Sequence, residues 1–450
     1  MKINMPAGAE WIIEKLKLAG FDAYVVGGCV RDGLLGKTPT DWDITTPAKP
    51  EEISVIFADQ KQVSIGQRHG TISIKSHEQY FEVTTYRIDG VYSDGRRPDA
   101  VSFTNELTED LARRDFTINA MAYNHHAGLV DPFNGVDDLQ IRQIRCVGDA
   151  ELRFGEDYLR IIRAYRFAAV LGFSLEEGTK QAAVSGRRNL HQIARERVQA
   201  ELSKLLIAGN FAAIKTFLDD CADTLFPDIA ALGGVVQTND YHVYDVYGHT
   251  LEVLRNAPPL LHQRVAALFH DVGKAHTKTT DDAGIDHFYG HGAVSVEIAK
   301  KSLKYWCFDN ATTARVLDII KYHGRTVLPE KTAIKRFISQ AGVQTVADVL
   351  EFQMADNLGK SQFAIDTTLP RIKKAQEILS QILEEGEPAT VKDLVITGKD
   401  VMDLLNIQPS PVVGKHLARL LEKVIENPEL NTLESLQSMV LSHAGLDSGQ

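Results

Sequence analysis

The amino-acid sequence predicts an α+β fold, with a mixed sheet and its helices first and an all-helical remainder after it. Up to about residue 145, short apolar strands such as Tyr24–Val26 and Tyr80–Arg87 alternate with amphipathic helices such as Ala9–Leu18. After that point, apolar residues recur mostly at helical spacing. A chain of 450 residues is long enough for about three domains, each with its own core.

Composition and charge narrow the class of protein. Hydrophobic residues make up 44% and charged residues 24%, as in ordinary globular proteins. The N-terminus lacks a signal pattern, and no run approaches the roughly 18 apolar residues of a membrane span. The four cysteines lie far apart, which indicates a reducing cytoplasm and neither a disulfide framework nor a zinc ribbon. The net charge of −11 argues against a nucleic-acid binder, although a local basic face is sufficient for phosphate contacts.

The stretch Tyr24–Thr46 (YVVGGCVRDGLLGKTPTDWDITT) predicts a phosphate-binding turn. Its first strand ends at Gly27–Gly28, where the backbone can approach a bound group closely because neither residue has a Cβ. A helix is predicted at Val30–Leu35, with Arg31 in its first turn. A turn at a helix N-terminus beside an arginine suits a polyphosphate, although a Gly-Gly pair by itself is usually only a turn.

Two aspartates face this turn from a second strand. That strand is predicted at Trp42–Thr45, with Asp41 and Asp43 at its mouth. Residues two apart on a strand point to the same face, so the two carboxylates converge. Mg²⁺ prefers one or two carboxylates together with phosphate oxygens of the substrate, and the pair therefore predicts a magnesium site. Glu82, on the strand Tyr80–Arg87, is either a third carboxylate of that site or a surface glutamate.

A second polar motif lies in Leu111–Tyr123 (LARRDFTINAMAY). Arg114 can donate two hydrogen bonds to a triphosphate or a ribose, and Asn119 can bridge to a sugar or to backbone. An Arg-Arg pair such as Arg113–Arg114 is ordinarily a solvated helix end, so the functional interpretation depends on the whole run.

One continuous helix is predicted at Phe154–Phe173, with an acidic start and a row of arginines. Asp157 lies in its first turn, and the arginines that follow at steps of three are Arg160, Arg163 and Arg166. The pairing edges of cytosine and adenine each present an amino donor beside a ring-nitrogen acceptor. A carboxylate next to a guanidinium, as in Asp157 and Arg160, would therefore accept C and A and reject G and U. The same row also fits a salt-bridged surface helix.

Together these motifs resemble those of the class II tRNA CCA-adding and bacterial poly(A) polymerase family. Gly27–Gly28 with the two aspartates is similar to that family's first motif, and Arg113–Arg114–Asp115 to its second. The run from Glu156 to Arg160 resembles the Glu-Asp-x-x-Arg motif, in which side chains replace a nucleic-acid template. The resemblance implies a polymerase-β-like nucleotidyltransferase head and an enzyme that adds CCA to the 3′ end of tRNA from CTP and ATP.

The resemblance also implies roles for individual residues. Asp41 and Asp43 hold Mg²⁺ and carry the catalysis. The implied nucleotide-binding residues are Gly28, Arg31, Arg114, Asp157, Arg160, Arg163 and Arg166. The loop Arg87–Phe103 corresponds to a flexible loop that is associated, in such relatives, with the switch to the final adenosine, which favours full CCA addition. A poly(A) polymerase, or an enzyme that adds only CC or only A, is the alternative on the same scaffold.

A different chemistry begins near residue 240. A predicted helix ends in His270–Asp271, while His249 opens an earlier helix and Asp356 lies in a later one. These four residues resemble the ligand set of the HD metal-dependent phosphohydrolase superfamily, which implies a second divalent ion, whether Mn, Fe, Ni or Mg. Further candidates around the same pocket are His287, His291 and His323. This part is either hydrolytic or only structural, and an HD phosphohydrolase with an RNA-binding head is the alternative function.

The predicted organisation has four parts. They are a nucleotidyltransferase head (1–145), a helical neck with the nucleotide-selecting helix (146–235), an HD-type helical body (236–375) and a helical tail (376–450). Residues 142–197 contain eleven Lys or Arg against seven Asp or Glu, so this basic belt, continued through Arg187 and Arg188, is expected to face the tRNA acceptor end. The tail resembles tails that reach toward the tRNA elbow. Neither a membrane nor an obligate protein partner is expected, and the oligomeric state is left open.

Overall fold

The computed structural model describes residues 3–63, 70–90 and 100–447, which confirm the α+β class. The chain forms two compact units, Met1–Phe226 and Pro227–Gln450. The first unit contains a seven-stranded sheet with its helices, and the second is almost entirely helical. Part of the loop Arg87–Phe103, which the sequence associated with the switch to adenosine, lies outside the described residues.

The strands of the first unit are short. They are β1 (Tyr24–Val26), β2 (Asp43–Thr46), β3 (Gln62–Val63), β4 (Thr71–Ser76), β5 (Gln79–Thr85), β6 (Arg87–Asp89), β7 (Val101–Phe103), β8 (Ala122–Asn124), β9 (Gly128–Val130), β10 (Gln143–Ile144) and β11 (Ser174–Leu175). The helices of this unit are α1 (Ala7–Leu18), α2 (Gly28–Leu34), α3 (Pro50–Ile56), α4 (Leu107–Ala112), α5 (Gly135–Gln140), α6 (Ala150–Glu156), α7 (Leu159–Leu171), α8 (Glu177–Gly186), α9 (Arg195–Leu206) and α10 (Phe211–Leu225).

The order of strands in the main sheet brings the predicted motifs to one edge. The order is β3-β4-β5-β2-β1-β8-β9, with β2 parallel to β5 and the other neighbours antiparallel. Antiparallel pairing sets the last residue of β1, Val26, opposite Asp43, the first residue of β2. The Gly27–Gly28 turn therefore begins beside Asp43. Parallel pairing sets Glu82 opposite Asp43, so both side chains project from the same face.

The prediction of one continuous helix at Phe154–Phe173 is wrong. Helix α6 ends at Glu156 and α7 begins at Leu159, because Asp157 between them is extended (φ −146°, ψ 101°). Its carboxylate accepts a hydrogen bond from the backbone N–H of Leu159 at 3.0 Å. A short carboxylate side chain competes with helical hydrogen bonding and favours helix starts, so the chain turns here rather than running on. The helix predicted at Val30–Leu35 also begins earlier, at Gly28.

The second unit consists of helices with two short strands. Its helices are α11 (Pro227–Ala230), α12 (Val246–Asn256), α13 (Leu261–Phe269), α14 (Lys274–Thr277), α15 (His291–Tyr305), α16 (Asn310–Tyr322), α17 (Lys331–Ala341), α18 (Val343–Leu358), α19 (Gln362–Glu384), α20 (Gly398–Leu405), α21 (Pro411–Glu426) and α22 (Leu433–Asp447). The strands β12 (Thr279–Thr280) and β13 (Asp286–His287) pair antiparallel. None of the helices described here is long and apolar enough to cross a membrane.

Two apolar clusters of the second unit indicate where the body gives way to the tail. One cluster contains buried residues from Val327 to Ala389, and the other contains residues from Leu394 to Val440. Helix α19 runs through residue 375 and contributes Ile378 and Leu379 to the first cluster. The four-part organisation stays a prediction, and we now propose its last boundary at about residue 390, between the two clusters.

Candidate functional site

One pocket of the first unit collects the residues that the sequence predicted to bind a nucleotide. Its volume is about 460 Å³, and it is bordered by the turn between β1 and α2, by α7 and by α9. The predicted residues that line it are Gly28, Arg31, Arg114, Asp157, Arg160, Arg163 and Arg166, together with Asp43. Arginines outnumber aspartates among the lining residues, so the pocket attracts polyanions.

The Gly27–Gly28 turn lies directly against Arg114. Gly27 has φ +82°, a conformation that residues with a Cβ rarely adopt, and a Cβ there would lie 2.9 Å from Nη1 of Arg114. Nε of Arg114 is buried without a hydrogen-bond partner in the part of the chain that the structure describes. The absence of a Cβ at Gly27 therefore lets the backbone of the turn lie in contact with the guanidinium of Arg114.

A buried chain of hydrogen bonds joins Arg31 to Arg163. Nη1 of Arg31 donates to Oδ1 of Asn119 at 2.6 Å, and Nδ2 of Asn119 donates to Oδ1 of Asp115 at 3.0 Å. Oδ2 of Asp115 accepts two bonds from Arg163, from Nε at 2.9 Å and Nη2 at 2.5 Å. Burial acts to raise the pKa of Asp115, but Arg163 and Asn119 lower it to about 2. The buried carboxylate therefore stays ionised and fixes both arginines.

Phe167 lies among three of these arginines. The guanidinium carbons of Arg31, Arg163 and Arg166 lie 5.1, 5.3 and 3.8 Å from the centre of its ring. Arg166 also donates to the buried Glu201 of α9. Cation–π contact and paired carboxylates hold the arginines in place without neutralising the whole cluster.

Asp157 and Arg160 line the same pocket, but the structure does not pair them. Asp157 accepts hydrogen bonds from Arg197, at 2.7 Å from Nη2 and 3.3 Å from Nη1. Arg160 donates to Glu156 at 2.5 Å and to the carbonyl oxygens of Arg153 and Arg113. That the two groups act together on a base stays a prediction, and the break at Asp157 turns its carboxylate toward Arg197 of α9.

Arg197 is a pocket residue that the sequence analysis did not single out. It lies on α9, 40 positions after its partner Asp157, so no local spacing relates the two. A weak signal for it was its position at the end of the basic belt at 142–197. Arg187, also in that belt, donates to the carboxylate of Asp223, while Arg188 is exposed.

Three carboxylates meet at the edge of the sheet. Asp41, Asp43 and Glu82 line one depression next to the arginine-rich pocket, and Asp43 lines both. Burial raises the pKa of Asp43, and the carboxylates of Glu82 and Asp41 raise it further against the opposing effect of Arg114. Each of these carboxylates disfavours the negative charge of the others. A divalent cation bound among them would offset this repulsion.

The second unit contains a buried cluster of the four residues predicted as metal ligands. Nε2 of His249 lies 3.0 Å from Oδ1 of Asp356, 3.4 Å from Nε2 of His270 and 3.6 Å from Oδ2 of Asp271. Nε2 of His270 lies 3.2 Å from the same Asp271 oxygen. Asp271 and Asp356 both have pKa values well below the ordinary range because nearby cationic groups outweigh the effect of burial. The ligand atoms of His249, His270 and Asp271 lie close enough together to hold one metal ion.

Two of the three additional histidines join this cluster. His291 and His323 approach the other oxygen of Asp271, Oδ1, at 3.3 and 3.7 Å from their Nε2 atoms. His287 lines the pocket beside this cluster, but its Nε2 contacts Asp281 at 2.8 Å instead. Two lysines that sequence reasoning missed, Lys274 and Lys360, each lie 2.7 Å from a carboxylate oxygen of the cluster.

Comparison with known proteins identifies the family. The chain is 33% identical over 428 residues to a CCA-adding enzyme of Leuconostoc citreum, covering 95% of this chain and 94% of that protein. It belongs to the CCA-adding enzyme family. A CCA-adding enzyme of Latilactobacillus sakei is 35% identical over 432 residues, with 94% and 95% of the two chains covered. The predicted family, and with it the nucleotidyltransferase class of enzyme, is confirmed.

Family descriptions match three segments of the chain. Residues 23–145 match "Poly A polymerase head domain", residues 172–232 match "Probable RNA and SrmB- binding site of polymerase A", and residues 288–440 match "tRNA nucleotidyltransferase domain 2 putative". The first of these segments contains the glycine turn and the carboxylates.

Solved structures of CCA-adding enzymes share the fold. The Bacillus stearothermophilus CCA-adding enzyme in complex with CTP has a TM-score of 0.74, at 28% identity and 99% coverage of both chains. The Thermotoga maritima CCA-adding enzyme complexed with tRNA_CCA has a TM-score of 0.59 at 20% identity, covering 97% of this chain and 94% of that one, and shows likeness of fold alone. The predicted architecture of a mixed-sheet head followed by helices is therefore confirmed.

Proposed function

We propose that the arginine-rich pocket of the first unit performs the reaction of the CCA-adding enzymes. In this reaction two cytidylyl groups and one adenylyl group, each carrying its α-phosphate, pass from CTP and ATP to the 3′ end of a tRNA, without a nucleic-acid template and with release of one pyrophosphate per addition. The observation that carries the proposal is the convergence of all seven predicted nucleotide-binding residues and Asp43 on one pocket. A tRNA 3′ end and a nucleoside triphosphate are the substrates, as the family membership indicates.

The carboxylates at the sheet edge would hold Mg²⁺. Asp41 and Asp43 are its proposed ligands, and Glu82 is a third because it faces the same side of the sheet as Asp43. Bound there, Mg²⁺ would lower the pKa of the tRNA 3′ hydroxyl and stabilise the pyrophosphate as it leaves. Asp43 lines both the carboxylate depression and the nucleotide pocket, so this site adjoins the place where a triphosphate would bind.

The triphosphate would bind at the glycine turn. Arg114 supplies its buried Nε–H and the terminal amino group that lies over Gly27. Arg31, held by Asn119 and by Asp32, adds a second guanidinium below Gly28. Guanidinium groups fixed in this way bind phosphate oxygens with little loss of side-chain entropy, because their orientation is already set.

Asp157 and Arg160 would select the base. The two groups line one pocket, so a base that enters it meets a carboxylate acceptor and a guanidinium donor. A carboxylate offers about four acceptor positions, so Asp157 can receive an amino group of C or A while it keeps Arg197. Guanine or uracil would set a carbonyl oxygen against the carboxylate, at a cost of about 1–3 kcal/mol for each polar group left unpaired. Arg163 and Arg166 complete the positive wall of the pocket.

The decisive experiment measures incorporation of labelled CTP and ATP, with GTP and UTP as controls. The acceptors are tRNA transcripts that lack CCA, transcripts that lack only the terminal A, and an unrelated RNA. We expect two C additions followed by one A, confined to tRNA, and none of them with the Asp41→Ala/Asp43→Ala variant. A long A tract on any RNA would instead establish a poly(A) polymerase. Normal activity of that variant would overturn the assignment of the site.

The basic belt is proposed to bind the tRNA acceptor end. Arg187 is already paired with Asp223, so the exposed Arg188 is the stronger candidate of the two. Arg188→Ala should reduce the slope of log affinity against log salt by about one, because each neutralised phosphate releases counterions. We propose that the protein acts in the cytoplasm, because all four cysteines are free, as is usual in a reducing compartment.

A second function is proposed for the helical body, as a divalent-metal-dependent phosphohydrolase. The observation that favours it is the buried convergence of His249, His270, Asp271 and Asp356. Imidazole and carboxylate ligands of this kind suit Mn, Fe, Ni or Mg. Metal analysis of the purified full-length protein and of the His270→Ala/Asp271→Ala variant tests the site. Equal divalent-metal content in the two proteins would count against it.

A further inference from the structure

The sheet of the first unit places Asp43 between two different recesses. Asp43 begins β2, which lies between β1 and β5 in the sheet. On the β1 side, Val26 is opposite Asp43 and the Gly27–Gly28 turn follows, so this side leads into the arginine-rich pocket. On the β5 side, Glu82 is opposite Asp43, and this side leads into the depression of about 560 Å³ that Asp41 also lines. The carboxylates therefore separate the two recesses.

The two recesses differ in charge. Arginines outnumber carboxylates among the residues that line the pocket on the β1 side. None of the described residues that line the depression on the β5 side is cationic, and its three carboxylates are accompanied by hydroxyl, amide and aromatic side chains. A recess of this composition does not attract a triphosphate, but it suits an uncharged ribose and base.

The proposed reaction needs a second substrate on the side away from the triphosphate. In an in-line displacement the attacking oxygen and the leaving group lie on opposite sides of the phosphorus. The 3′ oxygen of the acceptor bonds to the α-phosphorus, the bond to pyrophosphate breaks, and the hydroxyl proton passes to solvent. With the triphosphate at the glycine turn, the terminal nucleoside of the acceptor comes to the carboxylates from the β5 side, where the depression lies.

An exposed face of β5 continues from the carboxylates into this depression. Tyr80 and Glu82 are exposed, while Phe81 between them is buried, so Tyr80 projects from the same face as Glu82. Residues two apart on a strand are separated by about 6.5 Å. A nucleoside spans a distance of this order from its 3′ oxygen to its base. A 3′ hydroxyl at the carboxylates would therefore place its own base beside Tyr80.

Tyr80 has an exposed ring at this place. It is 49% exposed and lines the depression, whereas Phe81 next to it is 2% exposed. A half-exposed tyrosine is ordinary on a protein surface. The feature that distinguishes Tyr80 is its position, two residues along the strand from Glu82 in the recess that faces away from the arginines.

Stacking on an aromatic ring suits an acceptor whose last base changes. Before the first addition the terminal base is the one that precedes CCA in that tRNA, and after it the terminal base is a cytosine. Every base has a π face that an aromatic side chain can stack on, whereas a hydrogen-bonding site reads one pattern of donors and acceptors. A tyrosine would therefore hold each successive acceptor end in the same way.

We propose that Tyr80 stacks on the 3′-terminal base of the acceptor RNA and thereby places the 3′ hydroxyl at Asp43 and Glu82. The inference rests on the nucleotidyl transfer proposed for this unit, and adds the position of the acceptor end and a residue that binds it. Trp42 also lines the depression, but it lies between Asp41 and Asp43 in the chain, so a change there would disturb the proposed metal ligands themselves.

The test is a double-mutant cycle between the tyrosine and the terminal base. The full-length wild type is compared with Tyr80→Leu on tRNA transcripts lacking CCA, which end either in a normal nucleotide or in an abasic ribonucleotide that keeps the 3′ hydroxyl. The kcat/KM for the acceptor is measured at saturating CTP. Tyr80→Leu should lower it at least about fivefold on the normal acceptor and change it little on the abasic one. Removing the base should cost the wild type a similar factor.

Three controls separate stacking from a general defect. Tyr80→Phe keeps the ring and should retain the wild-type kcat/KM for the acceptor. The KM for CTP should be the same in Tyr80→Leu and the wild type, because the nucleotide pocket lies on the other side of Asp43. Tyr241→Leu, at a tyrosine of the second unit with the same exposed fraction of 49%, controls for the loss of an exposed ring.

The outcomes distinguish this proposal from the proposed function. Wild-type kcat/KM for the acceptor in Tyr80→Leu would overturn the stacking. Losses that multiply when Tyr80→Leu meets the abasic acceptor would also overturn it, since the residue and the base would then act independently. An equal rise in KM for CTP would overturn it by assigning Tyr80 to the nucleotide pocket. Failure of the wild type to incorporate CTP would instead overturn the nucleotidyl transfer itself.

Discussion

Arg197→Met should impair nucleotide selection, although Arg197 is not among the predicted nucleotide-binding residues. In the structure its two terminal nitrogens hold both oxygens of Asp157, at 2.7 and 3.3 Å. Without it, the backbone N–H of Leu159 is the one hydrogen-bond donor left, among the described residues, to orient the carboxylate that is proposed to receive the base. Asp157 then samples other rotamers, and bound CTP or ATP meets an incompletely ordered partner.

The magnitude follows from the geometry. The 2.7 Å bond joins two charged groups, which is worth about 1.5–3 kcal/mol, while the bond at 3.3 Å adds little. The side chains of Arg197 and Asp157 are 25% and 14% exposed, so solvent screening places the effect toward the lower end. A loss of about 1.5–2 kcal/mol corresponds to a fall of roughly 10- to 30-fold in kcat/KM for both nucleotides.

The assay is steady-state incorporation of CTP into tRNA lacking CCA, and of ATP into tRNA lacking only A. Arg197→Lys keeps the charge but not the two-pronged geometry, so its activity should lie between that of Arg197→Met and the wild type. Lys204→Met, at an exposed cation of the same helix, controls for the loss of one positive charge. Wild-type kcat/KM in a folded Arg197→Met protein would refute the positioning role.

Two further predictions concern the same pocket. Asp115 has its pKa lowered to about 2 in the folded state, against an ordinary value near 3.8, so its stabilising effect is present above about pH 4 and is lost as the pH falls toward about 2. The free energy of unfolding of the wild type should therefore fall, relative to that of Asp115→Asn, by about 2.5 kcal/mol as the pH is lowered from above 4 to below 2. A difference that does not change with pH would contradict the ion pair. Gly27→Ala should raise KM for both nucleotides, because φ is +82° and the new Cβ would lie 2.9 Å from Arg114. Gly36→Ala, a second positive-φ glycine with open space around it, controls for backbone strain alone, and equal KM values in the two variants would disprove the close approach.

The sequence by itself determined the fold class and most of the residues that line the proposed nucleotide pocket. The glycine turn, the two aspartates and the arginine at Arg114 are local signals, since each depends on residues a few positions apart on one strand, turn or helix end. Strand pairing then needed only to bring β1 and β2 together for these signals to meet. The four residues predicted as metal ligands of the body were likewise visible, because histidine and aspartate at helix starts and ends have few structural uses together.

Only the tertiary structure decided which groups hold one another. The partner of Asp157 lies 40 residues away on α9, and at the break between α6 and α7 the carboxylate of Asp157 accepts the backbone N–H of Leu159. The division of four histidines between the two oxygens of Asp271 involves side chains from several helices. Such convergence depends on how helices distant in sequence pack, and periodicity within one helix carries no information about the neighbour it will face.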